Sequence, residues 1–197
     1  MNIRSSVKKL IVNLSPPKYY YVGLAITGNQ TAGRAMSLLG YRWIHYPIAV
    51  ENLWKYEVAT DTPVGMWFRQ GLLPRNGIFI LTVRDVQSWL EDCQLWYESR
   101  PIDSLNDFEV RVRQYVCGSL TFDRSCFEDS YYKHTEACVT MAKNMGVKLY
   151  EWNVVAEPNW DFLTKLTGRT TDKPFPFTPG KYAGTWDKFL EVHQKKV

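Results

Sequence analysis

The chain predicts an α/β fold with three layers, α/β/α, built around a central parallel sheet. Two runs carry that expectation. Residues 19–24 and 77–83 are continuous apolar, aromatic and β-branched stretches instead of alternating ones, as strands covered on both faces are. Each is followed by residues with helical periodicity, and strands alternating with helices imply βαβ units, right-handed crossovers and a parallel sheet. The passage from the first strand to its helix, Gly23-Leu-Ala-Ile-Thr-Gly28, adds a third observation. A glycine-spaced loop at the carboxyl edge of such a sheet presents backbone N–H groups and the positive end of a helix dipole, which suits phosphate.

The first strand, 19–24, begins after Pro16-Pro17. A helix over 31–39 follows, with Ala32, Ala35, Met36 and Leu39 on one face and Gly40 as its C-cap. Residues 43–46 read as a short strand or extended loop stopped by Pro47, and 48–56 as a helix. Residues 57–60 lead into the turn-forming Asp61-Thr62-Pro63, before a helix over 64–73. The run 77–83 belongs mid-sheet, with Arg84-Asp85 at its carboxyl end and a helix over 86–98 that buries Val86, Trp89, Leu90 and Cys93. Amphipathic helices are expected over 108–116, 130–145 and 185–194, and a last strand over 147–152. No repeat or low-complexity linker divides the chain, so residues 1–197 read as one domain with a leader segment over 1–17.

At 197 residues a single domain buries roughly 70% of its unfolded surface, enough for a core without staples. Eight Trp and twelve Tyr exceed what a core alone asks for and point to a lined cleft. The net charge of +4 comes without a basic block, which fits an anionic ligand and argues against nucleic acid. No apolar run approaches the ~20 residues of a membrane span, so a soluble, cytoplasmic protein is expected. The four cysteines form no CxxC pair and no His lies at zinc spacing, which reads as free thiols and no metal.

The loop has GxxxxG spacing, but Asn29-Gln30 stands where an NTPase carries Lys and Ser or Thr. Without that Lys and hydroxyl, nucleoside triphosphate hydrolysis is disfavoured. Several separated segments then share an order and spacing: Val22-Gly23-Leu24 with Thr27-Gly28, Leu39-Gly40-Tyr41, Asp61-Thr62-Pro63, and Phe79-Ile-Leu-Thr-Val-Arg-Asp85 with Ser88-Trp89-Leu90. Tyr131 or Tyr132 with His134 and Val139, Leu149-Tyr-Glu-Trp152, Trp160 with Phe162-Leu163, and Pro174-Phe-Pro-Phe177 continue the series. Together they resemble the sulfotransferases that use 3′-phosphoadenosine-5′-phosphosulfate (PAPS), in particular the shorter bacterial and environmental branch.

The resemblance implies a P-loop NTPase-like sulfotransferase fold and metal-free transfer of a sulfuryl group from PAPS to a hydroxyl or amine of a small-molecule acceptor. It implies that the first loop and helix start, with Ile26, Thr27, Gly28, Asn29, Gln30 and Thr31, wrap the 5′-phosphosulfate. Arg84 would take the 3′-phosphate, and a guanidinium fork suits that task; pairing with Asp85 to brace the turn is the alternative.

Two positions depart from the family pattern. Ile26 replaces the Lys or Arg that neutralises the bridging oxygen, and an alkyl group supplies no such stabilisation. Asp92 stands where the Ser that joins the Arg on the 3′-phosphate is expected, with Ser88 one turn earlier as its substitute. Arg34 is the nearest replacement cation. For the general base the candidates are His45, Asp61 and His134, each with a structural alternative: packing beside Tyr46, capping the next helix, and a satisfied core histidine. Trp43, Tyr46, Trp54, Trp67 and Phe68 fall in the segments that this family uses for acceptors, which suits an apolar or aromatic acceptor. The alternative function is a catalytically silent protein on the same scaffold that binds another anion or nucleotide.

Overall fold

A computed structural model describes residues 18–177, in which five strands form one all-parallel sheet of order β2-β3-β1-β4-β5. The strands are β1 (Tyr19–Tyr21), β2 (Trp43–His45), β3 (Val58–Thr60), β4 (Ile78–Thr82) and β5 (Leu149–Trp152). The helices are α1 (Asn29–Leu38), α2 (Thr62–Arg69), α3 (Val86–Glu98), α4 (Asp107–Cys117), α5 (Arg124–Met145) and α6 (Asp161–Thr167). The leader segment and the helix expected over 185–194 lie outside the described residues.

Side chains alternate across a strand, and here the alternation divides the core into two layers. Tyr20, Ala59, Phe79 and Leu81 point to one face and meet Val64, Trp67 and Phe68 of α2 and Cys138, Ala142 and Met145 of α5. Tyr19, Tyr21, Val58, Ile80 and Trp152 point to the other and meet Ala32, Ala35 and Met36 of α1 and Leu163 of α6. Because both faces are covered, the strands read as unbroken apolar runs. A third cluster, of Leu24, Trp89, Leu90, Val112, Val116, Phe127 and Tyr131, joins α3, α4 and α5 beside the first loop. The expected α/β class and three-layer arrangement are thus present.

Several boundaries differ from expectation. Residues 57–60, expected to lead into a turn, contain β3, which pairs with both β1 and β2. Three residues are too few to show a period, so only the pairing reveals the strand. The helix expected over 48–56 is a 3₁₀ turn, Val50–Lys55, in which Leu53 is the buried residue; one anchor does not hold an amphipathic helix against a core. The helix expected to begin at Ser130 begins at Arg124, because the Asp123 carboxylate accepts a hydrogen bond from the Cys126 amide and caps it. The helix expected over 64–73 starts at Thr62, capped by Asp61, and stops at Arg69. α6 was not anticipated. Among the described residues no helix is long and apolar enough to cross a membrane.

Candidate functional site

Three pieces of chain converge at the carboxyl edge of the sheet: the loop after β1, the corner between β3 and α2, and the turn between β4 and α3. The loop is shaped by close packing on β4. A Cβ on Gly23 would collide with the Thr82 hydroxyl, and Gly28 has φ 94°, a left-handed conformation that glycine adopts without a Cβ clash. The Thr27 hydroxyl donates to the Leu24 carbonyl at 2.6 Å and lies 2.7 Å from the Thr82 hydroxyl. Asn29, expected to offer its amide to a ligand, is buried instead: Nδ2 donates to the Leu24 carbonyl at 2.6 Å, and Oδ1 accepts from Thr82 at 3.0 Å. Gly28 caps α1 without a side chain, and no acidic residue stands in its first turn. Gln30 and Thr31 are half-buried in that turn.

Arg84 is bound on several sides. Nη1 donates to Asp92 Oδ2 at 2.7 Å and to the Ile26 carbonyl at 3.1 Å, while Nη2 donates to Ser88 Oγ at 3.0 Å. The ion partner is therefore Asp92, and Asp85 caps α3 by accepting from the Ser88 amide at 2.9 Å. Ser88 in turn donates its hydroxyl hydrogen to the Asp85 carbonyl at 3.1 Å. The Tyr131 hydroxyl clamps the Arg84 backbone, accepting from its amide at 3.1 Å and donating to its carbonyl at 2.8 Å. Trp89 Nε1 of α3 holds the Ala25 carbonyl at 2.9 Å, so α3 and the turn before it hold two successive loop oxygens. Ile26 has φ 69°, a sterically costly conformation for a β-branched residue, and its side chain packs on the Leu24 and Trp89 cluster. The position expected to carry a cation thus faces apolar neighbours. Arg34 is half-buried on α1 and makes no hydrogen bond or ion pair among the described residues.

His45 and Asp61 come together: His45 Nε2 lies 3.1 Å from Asp61 Oδ2, and His45 Nδ1 lies 3.1 Å from Thr60 Oγ1. A carboxylate only accepts, so Nε2 carries the hydrogen. Thr60 Oγ1 also accepts from Trp43 Nε1 at 3.0 Å, which fixes the hydroxyl beside the ring. Asp61 also caps α2, Oδ1 accepting from the Thr62 amide at 2.6 Å. Its backbone, at φ 93° and ψ 174°, occupies a region that is essentially restricted to glycine. Next to it, Thr62 Oγ1 accepts from the Ala25 amide at 2.8 Å, which ties this corner to the first loop.

His134 has the core-histidine alternative's surroundings. It is 1% exposed, Nε2 donates to the Val22 carbonyl at 2.7 Å, and Nδ1 lies 3.4 Å from Arg69 Nη1. Burial, reinforced by the Arg69 charge, pushes its pKa down to about 4. Of the aromatics expected at an acceptor site, Trp67 and Phe68 are core residues, and Tyr46 meets Phe108 edge-on. Trp54 is exposed beneath the Lys18 ammonium.

Sequence reasoning missed the parts played by four hydroxyls: Thr62 and Thr82 tie the β3 corner and β4 to the first loop, Thr60 holds His45, and Tyr131 holds the Arg84 backbone. Each threonine stands at or beside the carboxyl end of a strand, a signal that only becomes readable once β3 is recognised. No protein-family model and no curated protein matches this chain.

Proposed function

We propose that the chain is a sulfotransferase-like protein that holds an adenosine phosphosulfate donor on the loop after β1 and passes its sulfuryl group to the hydroxyl or amine of a small acceptor. PAPS is the donor that the sequence resemblance implies. The carrying observation is the joining of loop, base and cation at one edge, through the Ala25 amide to Thr62 Oγ1 and Arg84 Nη1 to the Ile26 carbonyl. The chain crosses β1 on its way from β3 to β4, so this edge is the topological switch point where open α/β sheets receive ligands.

In this reading the acceptor oxygen or nitrogen attacks sulfur as the bond from sulfur to the bridging phosphate oxygen breaks. The acceptor proton passes to Asp61, which His45 holds in place, and the nucleotide leaves with the bridging electron pair. Loop amides and the first turn of α1 bear the charge that develops on the leaving phosphate, while Arg84 holds the loop through the Ile26 carbonyl. No metal is required. The strained backbone of Asp61 supports the assignment, because a conformation costing about 1–3 kcal/mol is kept where a side chain has a task.

The test is transfer of labelled sulfuryl from PAPS, or from its 3′-hydroxyl counterpart, to a panel of phenols, alcohols and amines. Labelled product is expected from the native chain. Asp61→Gly should abolish it while leaving the melting temperature unchanged or raised, since the backbone relaxes. Absence of product, together with no thermal shift from either donor, would refute the proposal. A second reading, a silent binding protein, is favoured by Ile26 and by the pairing of Arg84 with Asp92. Ile26→Lys separates the two: turnover in the variant alone identifies the native chain as silent.

A further inference from the structure

We infer that Asp92 makes the corner at Arg84 read hydroxyl groups instead of phosphate, so that the nucleotide bound at the loop carries a free ribose 3′-hydroxyl. The inference rests on the proposed nucleotide reading of the loop and narrows the ligand class.

The argument begins with what Arg84 has left to offer. Both Nη1 hydrogens are engaged, by Asp92 Oδ2 at 2.7 Å and by the Ile26 carbonyl at 3.1 Å. Nη2 reaches Ser88 Oγ at 3.0 Å, and Nε is buried without a hydrogen-bond partner. The Arg84 and Asp92 side chains are only 9% and 14% exposed, so their charges are largely shielded from solvent and neutralise each other. A phosphate entering here would have to displace the carboxylate from the guanidinium and then lie beside it. Like charges brought together in a part-buried site repel strongly. Ser88 gives no relief, because its hydroxyl hydrogen is held by the Asp85 carbonyl at 3.1 Å.

A hydroxyl meets the opposite situation. Asp92 Oδ1 has no hydrogen bond from a described residue, and a carboxylate oxygen accepts from an alcohol without loss of the ion pair on Oδ2. An acidic side chain on a ribose hydroxyl is an established way for α/β proteins to choose an unphosphorylated nucleotide over one carrying a further phosphate. Because Arg84 also holds the Ile26 carbonyl, this corner adjoins the loop that takes the 5′ end.

The test compares adenosine 5′-monophosphate with 3′-phosphoadenosine 5′-phosphate by calorimetry on the native chain and on Asp92→Ser and Asp92→Asn. The monophosphate is expected to bind the native chain about tenfold more tightly or better, and both substitutions should reverse or erase that preference. Asn keeps the size of the side chain, so a folding defect in the Ser variant leaves the comparison intact. Equal or tighter binding of the 3′-phosphorylated ligand by the native chain overturns the inference and leaves the proposed function standing, as does a preference unchanged by both substitutions. Binding of neither nucleotide to any of the three proteins overturns both.

Discussion

His134 shows how one buried side chain ties stability to pH. Its unfolded imidazole takes a proton near 6.5, but the buried ring does so only near pH 4. Between those values the unfolded chain binds more protons, so stability falls as the pH drops through that window and is fully present above it. The shift corresponds to an effect on the order of 3 kcal/mol. Urea titrations at pH 7 and pH 4.5 should show a steep loss for the native chain and a shallower one for His134→Gln, which has no proton to gain. Equal pH slopes in the two proteins would contradict this assignment. The sequence left His134 between base and core residue, because its partners, the Val22 carbonyl and Arg69, are remote along the chain. Asp61 was also open to two roles, and the structure gives it the capping contact as well as the contact with His45.

At the scale of elements, α5 supports the turn that carries Arg84. Tyr131 Oη both receives the Arg84 amide and bonds its carbonyl, which satisfies backbone polar groups that have little access to water. Tyr131→Phe leaves both unpaired, and about 1–3 kcal/mol of stability should be lost in chemical denaturation. Under the proposed function, the same variant should also weaken nucleotide binding, since Arg84 loses its fixed backbone. A loss below about 0.5 kcal/mol would mean that water replaces the hydroxyl at no cost. β4 and α3 were legible in the sequence because their runs are long: β4 is a nearly unbroken apolar strand, and Val86, Trp89, Leu90 and Cys93 recur with helical spacing. β3 was not, being three residues whose strand character comes from neighbours on both sides. α6 was hidden for a related reason, since its seven residues supply one buried anchor, Leu163.

Taken whole, the molecule concentrates its order along the middle of the sheet. β1 lies between β3 and β4, and its residues are buried on both faces, whereas β2 and β5 are the outer strands and are partly exposed. Amide hydrogen exchange should accordingly be slowest in Tyr19–Tyr21 and Ile78–Thr82 and measurably faster in Trp43–His45. Equal protection in β2 would imply that another surface covers that edge. The layered class was readable because a sheet covered on both faces leaves its mark in every long strand. The site was readable only in outline, since Gly23, Gly28, Arg84 and Asp61 are local signals, while the connections among them run through threonine hydroxyls and backbone carbonyls.

The grip of α3 on the first loop has one more consequence. Trp89 of α3 draws the Ala25 carbonyl toward that helix, and Arg84 draws the Ile26 carbonyl toward the turn before it. In a trans peptide the N–H points opposite to the C=O, so the Ile26 amide is turned away from α3. Under the proposed function, an anion at the loop would meet the field of fixed peptide dipoles, with no lysine in the loop. Peptide dipoles do not ionise, so such an anion would keep its affinity through the alkaline range in which an ammonium group is discharged. Reagents that acylate lysine would also leave this part of the attraction untouched.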